Sequence, residues 1–425
     1  MLGRLNLIWL CCGMALVGCG RTDSPQFKLN LPKMELNDPP VLPPQRQEIA
    51  NALEAMFGTP DQPYVVPEAG LDLTKIKLAA GPVWSDQSGT QRGLYRQHCV
   101  HCHGITGDGM GPTSAILNPY PRDYRPGLYK YKSTKRASMP THDDLVRILR
   151  QGVMGTAMPS FDLLAPSEID ALVEYVKYLT LRGQTEIALI QATSELGEGE
   201  NFKLDRALLI DEVLVTEVDK WKNATEEIVN PPARSEMSEA EKAESIGKGR
   251  ELFYSAAKGN CIKCHGPTAL GDGVTTDYDD WNKPLGEVVL GISKAEEVLV
   301  NLQKERATTE DADKLKELDE QIASTKESID VKETLHNLLQ SQMLPLRTID
   351  PRNLRLGIYR FGRRPLDLFR RVHEGINGVP MPGGGLTPGF TPEEMWHVVD
   401  YVRSLPYESI NRVKPDPKIA GMSQK

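Results

Sequence analysis

Apolar residues return every three or four positions in several stretches of the chain, and each such stretch predicts an amphipathic helix. In Ala165–Leu179 the series is Ile169, Leu172, Val173, Val176 and Leu179, opened by the helix-starting pair Pro166-Ser167. A second stretch, Thr391–Leu405, opens on Thr391-Pro392 in the same way. Further helices are predicted over 89–97 and 239–257, over Gln45–Phe57, and over Leu204–Trp221 ahead of Pro231-Pro232. The sequence from Phe57 to about Asp86 is turn-rich. Between Ser293 and Ser341 the chain is charged and lacks proline and glycine, with Leu302, Leu315, Leu318, Ile322, Ile329, Leu335 and Leu338 at helical intervals. That pattern predicts a helical hairpin breaking near Thr308, either a docking surface or a tolerated surface insertion.

The pattern also repeats. PRDYRPGLYKY (121–131) returns as PRNLRLGIYRF (351–361), and LVRILRQGVMGTAMP (145–159) as LFRRVHEGINGVPMP (368–382). The closing helix of 165–179 returns as that of 391–405, so the order of blocks is the same in both halves. The second half carries a long extra segment, about 281–348, which contains the predicted hairpin.

Each half also holds one copy of a five-residue motif, CVHCH at Cys99–His103 and CIKCH at Cys261–His265. Two cysteines three residues apart lie on one helical face and can form two thioether links to a porphyrin, while the next histidine supplies an imidazole to the iron. A zinc site or a redox-active cysteine pair would leave that histidine unexplained in both copies. The motifs therefore predict two covalently bound haem c groups, held by Cys99, Cys102, Cys261 and Cys264, with His103 and His265 as iron ligands.

The opposite ligand follows from the duplication. Met158 aligns with Met381, each followed by proline in a glycine-rich loop, whereas Met154 aligns with Asn377. Met158 and Met381 are thus the expected sixth ligands, although methionine also serves as a core gap filler. Arg122 and Arg352 hold matching places and are candidates for contacts to haem propionates, against the alternative of surface arginines. Tyr129/Tyr359 and Tyr175/Tyr401 also recur in register and are expected to pack helices. His142, His336, His373 and His397 have no matched partners, and His98 and His101 sit at the attachment turn.

These motifs resemble the bacterial class I cytochromes c over roughly 88–182 and 241–408, less the insertion. CxxCHG, the turns Gly107-Asp108-Gly109 and Gly271-Asp272-Gly273, and the downstream Met-Pro carry the resemblance. It implies a mainly α fold of two tandem cytochrome c domains, with Met158 and Met381 on the irons. The pairing is similar to the cytochrome subunits of certain terminal oxidases and periplasmic dehydrogenases; the long insertion departs from it.

The remaining cysteines, Cys11, Cys12 and Cys19, lie in the first nineteen of the 425 residues. Arg4 followed by an apolar run from Leu5 to Gly18 reads as a secretory signal, too short to span a membrane. Its end, Leu16-Val17-Gly18-Cys19, resembles the lipobox of bacterial lipoproteins, which implies a lipid on Cys19; an ordinary secretory signal is the alternative. The expected plan is a signal at 1–19, a tether with a short helix at 20–87, a first domain at 88–182, a linker with a bridging helix at 183–240, a second domain at 241–408 and a tail at 409–425. The proline-rich segment Gly20–Pro44 reads as semi-extended.

A formal net charge of −8 argues against nucleic acid as a partner. The expected function is single-electron transfer between redox proteins at the membrane on the exported, periplasmic side, with no substrate chemistry and no catalytic residue. The alternatives are a dihaem peroxidase-like enzyme and a bound cytochrome subunit of an oxidase or dehydrogenase complex.

Overall fold

The computed structural model describes residues 24–196, 204–273, 278–279 and 282–408. The leader with Cys19, part of the linker and the 409–425 tail lie outside the described residues. The chain is mainly helical, and among the described residues no helix is long and apolar enough to cross a membrane.

The first half gathers around one long helix. Helices α1 (Leu31–Glu35), α2 (Pro43–Phe57) and α3 (Leu73–Ala79) come first. Then follow α4 (Leu94–His98), α5 (Val100–His103), α6 (His142–Gln151) and α7 (Pro166–Leu196). Ile169, Leu172 and Leu179 of α7 are buried, as the apolar series requires. Tyr178 of α7 donates its hydroxyl to the Phe57 carbonyl at 2.5 Å, fixing α2 on the same helix.

Three elements differ from the sequence expectation. Residues 89–93 are not helical: Trp84–Ser85 pairs with Gln91–Arg92 as a small antiparallel hairpin, and Gly93 at φ +73° turns the chain into α4. The turn-rich stretch before it contains α3, whose N-cap Asp72 accepts from the Thr74 and Lys75 amides. The expected tether is docked from residue 27 onward. Phe27 packs on Tyr178 with ring centroids 6.0 Å apart, the Asn30 amide donates to buried Glu186 Oε1, and Met34 and Val41 are buried.

A π-helical segment, Ala207–Leu214, and α8 (Val215–Lys222) bridge toward the second half, packing on α7. There α9 (Glu239–Tyr254) opens with a Ser238/Glu241 capping box. It crosses α14 (Pro392–Ser404) at Gly249, where a side chain would run into the His397 carbonyl. Between them lie α10 (Ile262–His265) and α13 (Pro365–Glu374). The insertion forms the hairpin α11 (Lys283–Thr308) and α12 (Ala312–Gln342). It does not stand on the second half alone: Tyr120 donates to the Pro345 carbonyl at 3.0 Å, Arg347 donates to the Leu117 carbonyl, and α12 touches α1.

Matched positions make matched bonds within each half. The Cys99 amide donates to the Tyr95 carbonyl at 2.9 Å, and the Cys261 amide to that of Phe253 at 3.0 Å. Tyr359 donates to the Val402 carbonyl at 2.8 Å, whereas Tyr129 meets Thr180 at 2.6 Å and Thr180 donates to the Val176 carbonyl. One apparent match is out of register. Gly109 and Gly271 donate to the carbonyls of His103 and His265, and Gly111 and Gly273 to those of Cys102 and Cys264. The two GDG triplets are therefore offset by two residues, and Gly107 corresponds to Ala269.

Candidate functional site

The motif residues of the first half border a cavity with an empty volume of about 1370 Å³, including its opening to solvent. Cys99, Cys102 and His103 line one side, on the short helix α5. Met158 and Pro159 line it as well, from the loop after α6, and apolar walls come from Leu145 and Leu149 of α6 and Leu172, Val173 and Val176 of α7. Met154 is 58% exposed and is not among the lining residues. The choice of Met158 over Met154, made from the duplication, thus coincides with which methionine borders the cavity.

His103 is buried, and the loss of solvation pulls its imidazole down to about pKa 4. A neutral ring has one N–H, and its Nδ1 lies 3.0 Å from the Arg122 carbonyl oxygen, which can only accept. Nδ1 is therefore the donor, and Nε2 keeps a lone pair for a metal. A ring nitrogen tied to a backbone carbonyl is the arrangement that orients metal-binding histidines. Tyr124 stacks on the ring, centroids 4.8 Å apart and planes 16° apart.

The second half repeats this. His265 Nδ1 lies 3.1 Å from the Arg352 carbonyl oxygen, and burial lowers its pKa as well. The methionine loops close alike: the Val153 amide donates to the Met158 carbonyl at 3.1 Å, and the Ile376 amide to the Met381 carbonyl at 3.1 Å. Burial pushes the Cys99 and Cys261 thiols up to about 12, so neither is a ready thiolate nucleophile. Among the described residues there is no cluster of three or more His, Cys, Asp or Glu side chains able to hold a metal ion, which leaves the zinc reading without ligands.

Between the halves lies a second, polar cavity of about 850 Å³, bordered by Lys130, Arg347, Arg352 and Arg360 with Asp279 and Asp350. Arg352 Nε and Arg360 Nε are buried without a hydrogen-bond partner. Burial and the nearby Arg122 lower the Lys130 pKa to about 7, opposed by its ion pair with Asp279. Orphaned buried donors beside surplus positive charge fit carboxylates such as haem propionates.

The sequence reading singled out Arg122 and Arg352 for their guanidinium groups. Their backbone carbonyls are what hold the histidines, a role signalled only by the recurrence of Pro-Arg at a fixed place in each half. The unmatched histidines go elsewhere: His142 pairs with Asp170 at 3.3 Å, His373 with Glu374 at 2.7 Å, and His397 with Ser245 at 2.7 Å. His98 meets Phe161 edge-on, and both His98 and His101 border the first cavity.

No curated protein matches the chain. Among solved structures, the Kuenenia stuttgartiensis reducing HAO-like protein complex Kustc0457/Kustc0458 is similar, at 20% sequence identity and a TM-score of 0.44, over 76% of this chain and 97% of that one. Residues 92–180 match the family model described as Cytochrome c, which gives that segment covalently bound haem c and haem-based electron transfer.

Proposed function

We propose that the protein is a dihaem c-type cytochrome that carries single electrons between redox proteins. Cys99 and Cys102 hold one haem c and Cys261 and Cys264 the other, with His103/Met158 and His265/Met381 on the irons. The observation that carries this reading is the pair of equivalent hydrogen bonds from His103 and His265 to the carbonyls of Arg122 and Arg352. Bound haem supplies a one-electron centre. The chain supplies the rest: each imidazole is fixed as the Nδ1–H tautomer, each methionine sits on a hydrogen-bonded loop, and apolar walls from α6 and α7 exclude water. A site capped on both sides changes charge with little rearrangement. Arg122, Lys130, Arg352 and Arg360 would offset propionate charge between the halves.

Mass spectrometry of the mature chain should show two added haem groups, and Cys261→Ser/Cys264→Ser should leave one. The ferric protein should show the near-infrared sulfur-to-iron band for both centres. Rapid formation of a carbon monoxide adduct would sink the carrier reading in favour of a peroxidase-like enzyme. A tightly bound subunit would instead copurify with a membrane complex after mild extraction.

The same proposal places the protein on the exported, periplasmic side of the membrane, held by a lipid on Cys19. Its support is the Leu16-Val17-Gly18-Cys19 segment. Cys19→Ser should then release the protein from the membrane fraction.

A further inference from the structure

The two methionine loops are each held by side chains of the opposite half. Arg136 of the first half donates from Nη1 to the Met381 carbonyl at 2.9 Å, and its amide donates to Glu374 at 2.7 Å. Its guanidinium sits so close over Gly375 that a Cβ there would lie 2.6 Å from Nη1. Arg122, also of the first half, lies against Gly378, with Nη1 3.2 Å from the position of a Cβ. In the other direction, Arg352 of the second half covers Gly155, where a Cβ would fall 2.6 Å from Nη2. Gly155 and Gly378 are equivalent positions of the duplicated loop, at φ +73° and +71°.

These contacts cross over. The backbone of Arg352 fixes the histidine of its own half, while its guanidinium rests on the methionine loop of the other. Arg136 lines neither cavity, so its reach to Met381 is separate from any propionate contact. Both loops lack regular secondary structure between Gly152 and Pro159 and between Gly375 and Pro382, so their shape depends on such external supports.

We propose that Arg136 and Arg352 are positioning residues acting across the pair, Arg136 holding Met381 on its iron and Arg352 holding Met158. Neither half then forms a fully closed site by itself. This rests on the dihaem, methionine-ligated reading above.

The test is displacement of methionine by added imidazole, followed by the ligand methyl proton signals of the ferrous protein. Met158→His and Met381→His assign each signal to its half. Arg136→Gln should make the Met381 centre about tenfold easier to displace, the scale of one lost charge-assisted hydrogen bond, and leave the Met158 centre unchanged. Arg352→Gln should do the reverse. Arg136→Lys should recover part of the loss, which guards against a general folding defect. Equal effects on both centres, or an effect confined to the half that carries the substitution, would overturn the crossed support while leaving the dihaem reading intact. Absence of both methionine signals in the unsubstituted protein would overturn the two together.

Discussion

Tyr131 stacks on Phe361, ring centroids 6.1 Å apart and planes 17° apart, and the two occupy the same position of the duplicated sequence. When equivalent residues of two copies touch each other, a local two-fold relation passes between them, as at an isologous dimer interface. Arg147 strengthens the join: its guanidinium lies 4.3 Å from the Phe361 ring centre and pairs with Asp367 at 2.7 Å. Phe361→Ala should therefore destabilise the union of the halves by about 3 kcal/mol, and Tyr131→Phe by less than about 0.5 kcal/mol. Denaturant unfolding followed separately at each haem would show it. Phe361→Ala should split one transition into two, and a single unshifted transition would rule out the aromatic pair as the joint.

The same interface should open in acid. Burial by itself would raise the Asp367 pKa, but hydrogen bonds from Arg147 and Arg364 hold it at about 2. A carboxylate with a depressed folded pKa adds stability that is present above its unfolded value near 3.8 and is lost as pH falls toward 2. Asp367 is 2% exposed, so the contribution is about 2 kcal/mol at neutral pH. Stability of the joined halves should be flat from pH 7 to about 5 and fall between about 4 and 2. Asp367→Asn should lower the neutral plateau by about 3 kcal/mol, since it leaves two guanidinium groups uncompensated. A pH profile identical to that of the native protein would refute the assignment.

The offset glycines give a third expectation. Ala269 sits at φ +60° where the first half has Gly107 at φ +75°. The room for its methyl comes from Leu354 replacing Tyr124, because a Cβ on Gly107 would lie 3.1 Å from both Tyr124 and Leu179. Space is solved, but the left-handed backbone still costs an alanine about 1 kcal/mol, against about 0.5 kcal/mol for the extra freedom of an unfolded glycine. Ala269→Gly should thus stabilise the second half by about 0.5 kcal/mol in thermal unfolding. Gly107→Ala should destabilise the first half by at least about 1 kcal/mol, having both strain and crowding.

What the sequence made legible was local. The closing helices were readable because Thr391 caps α14, accepting from the Glu394 amide, and because the apolar face of α7 has a clean helical period. The haem-binding residues were readable because attachment needs fixed spacing along one turn. The docking of residues 27–41 was not, since Phe27, Met34 and Val41 contribute one apolar side chain at a time with no period to detect. The GDG register was misleading because identical letters two residues apart satisfy a turn equally well on paper. Only the amide partners of Gly109 and Gly271 decide it. The union of the halves depends on pairs such as Arg147 with Asp367, 220 positions apart, and no single-sequence pattern joins those.

The hairpin offers the last prediction. Leu318, Ile322 and Ile329 of α12 are buried while Val289, Leu290, Val298 and Val331 remain exposed, so the two helices mainly shelter each other. The base is anchored separately, by the Tyr278–Thr348 bridge, by Asn282 donating to the Leu344 carbonyl at 3.1 Å, and by buried Leu285 and Leu339. Excising residues 290–335 and closing the gap with about eight glycine and serine residues should preserve that base. Shortening the loop about threefold by doublings removes closure entropy of about 2 kcal/mol, which offsets the lost contact between α12 and α1. The shortened chain should therefore still take up both haems and unfold within about 1 kcal/mol of the native protein. Should the second haem fail to attach, or the second half lose more than about 3 kcal/mol, the hairpin would be part of that half's core rather than an appendage. If folding and haem content are intact but transfer to a redox partner slows, the exposed valines and leucines are where that partner binds.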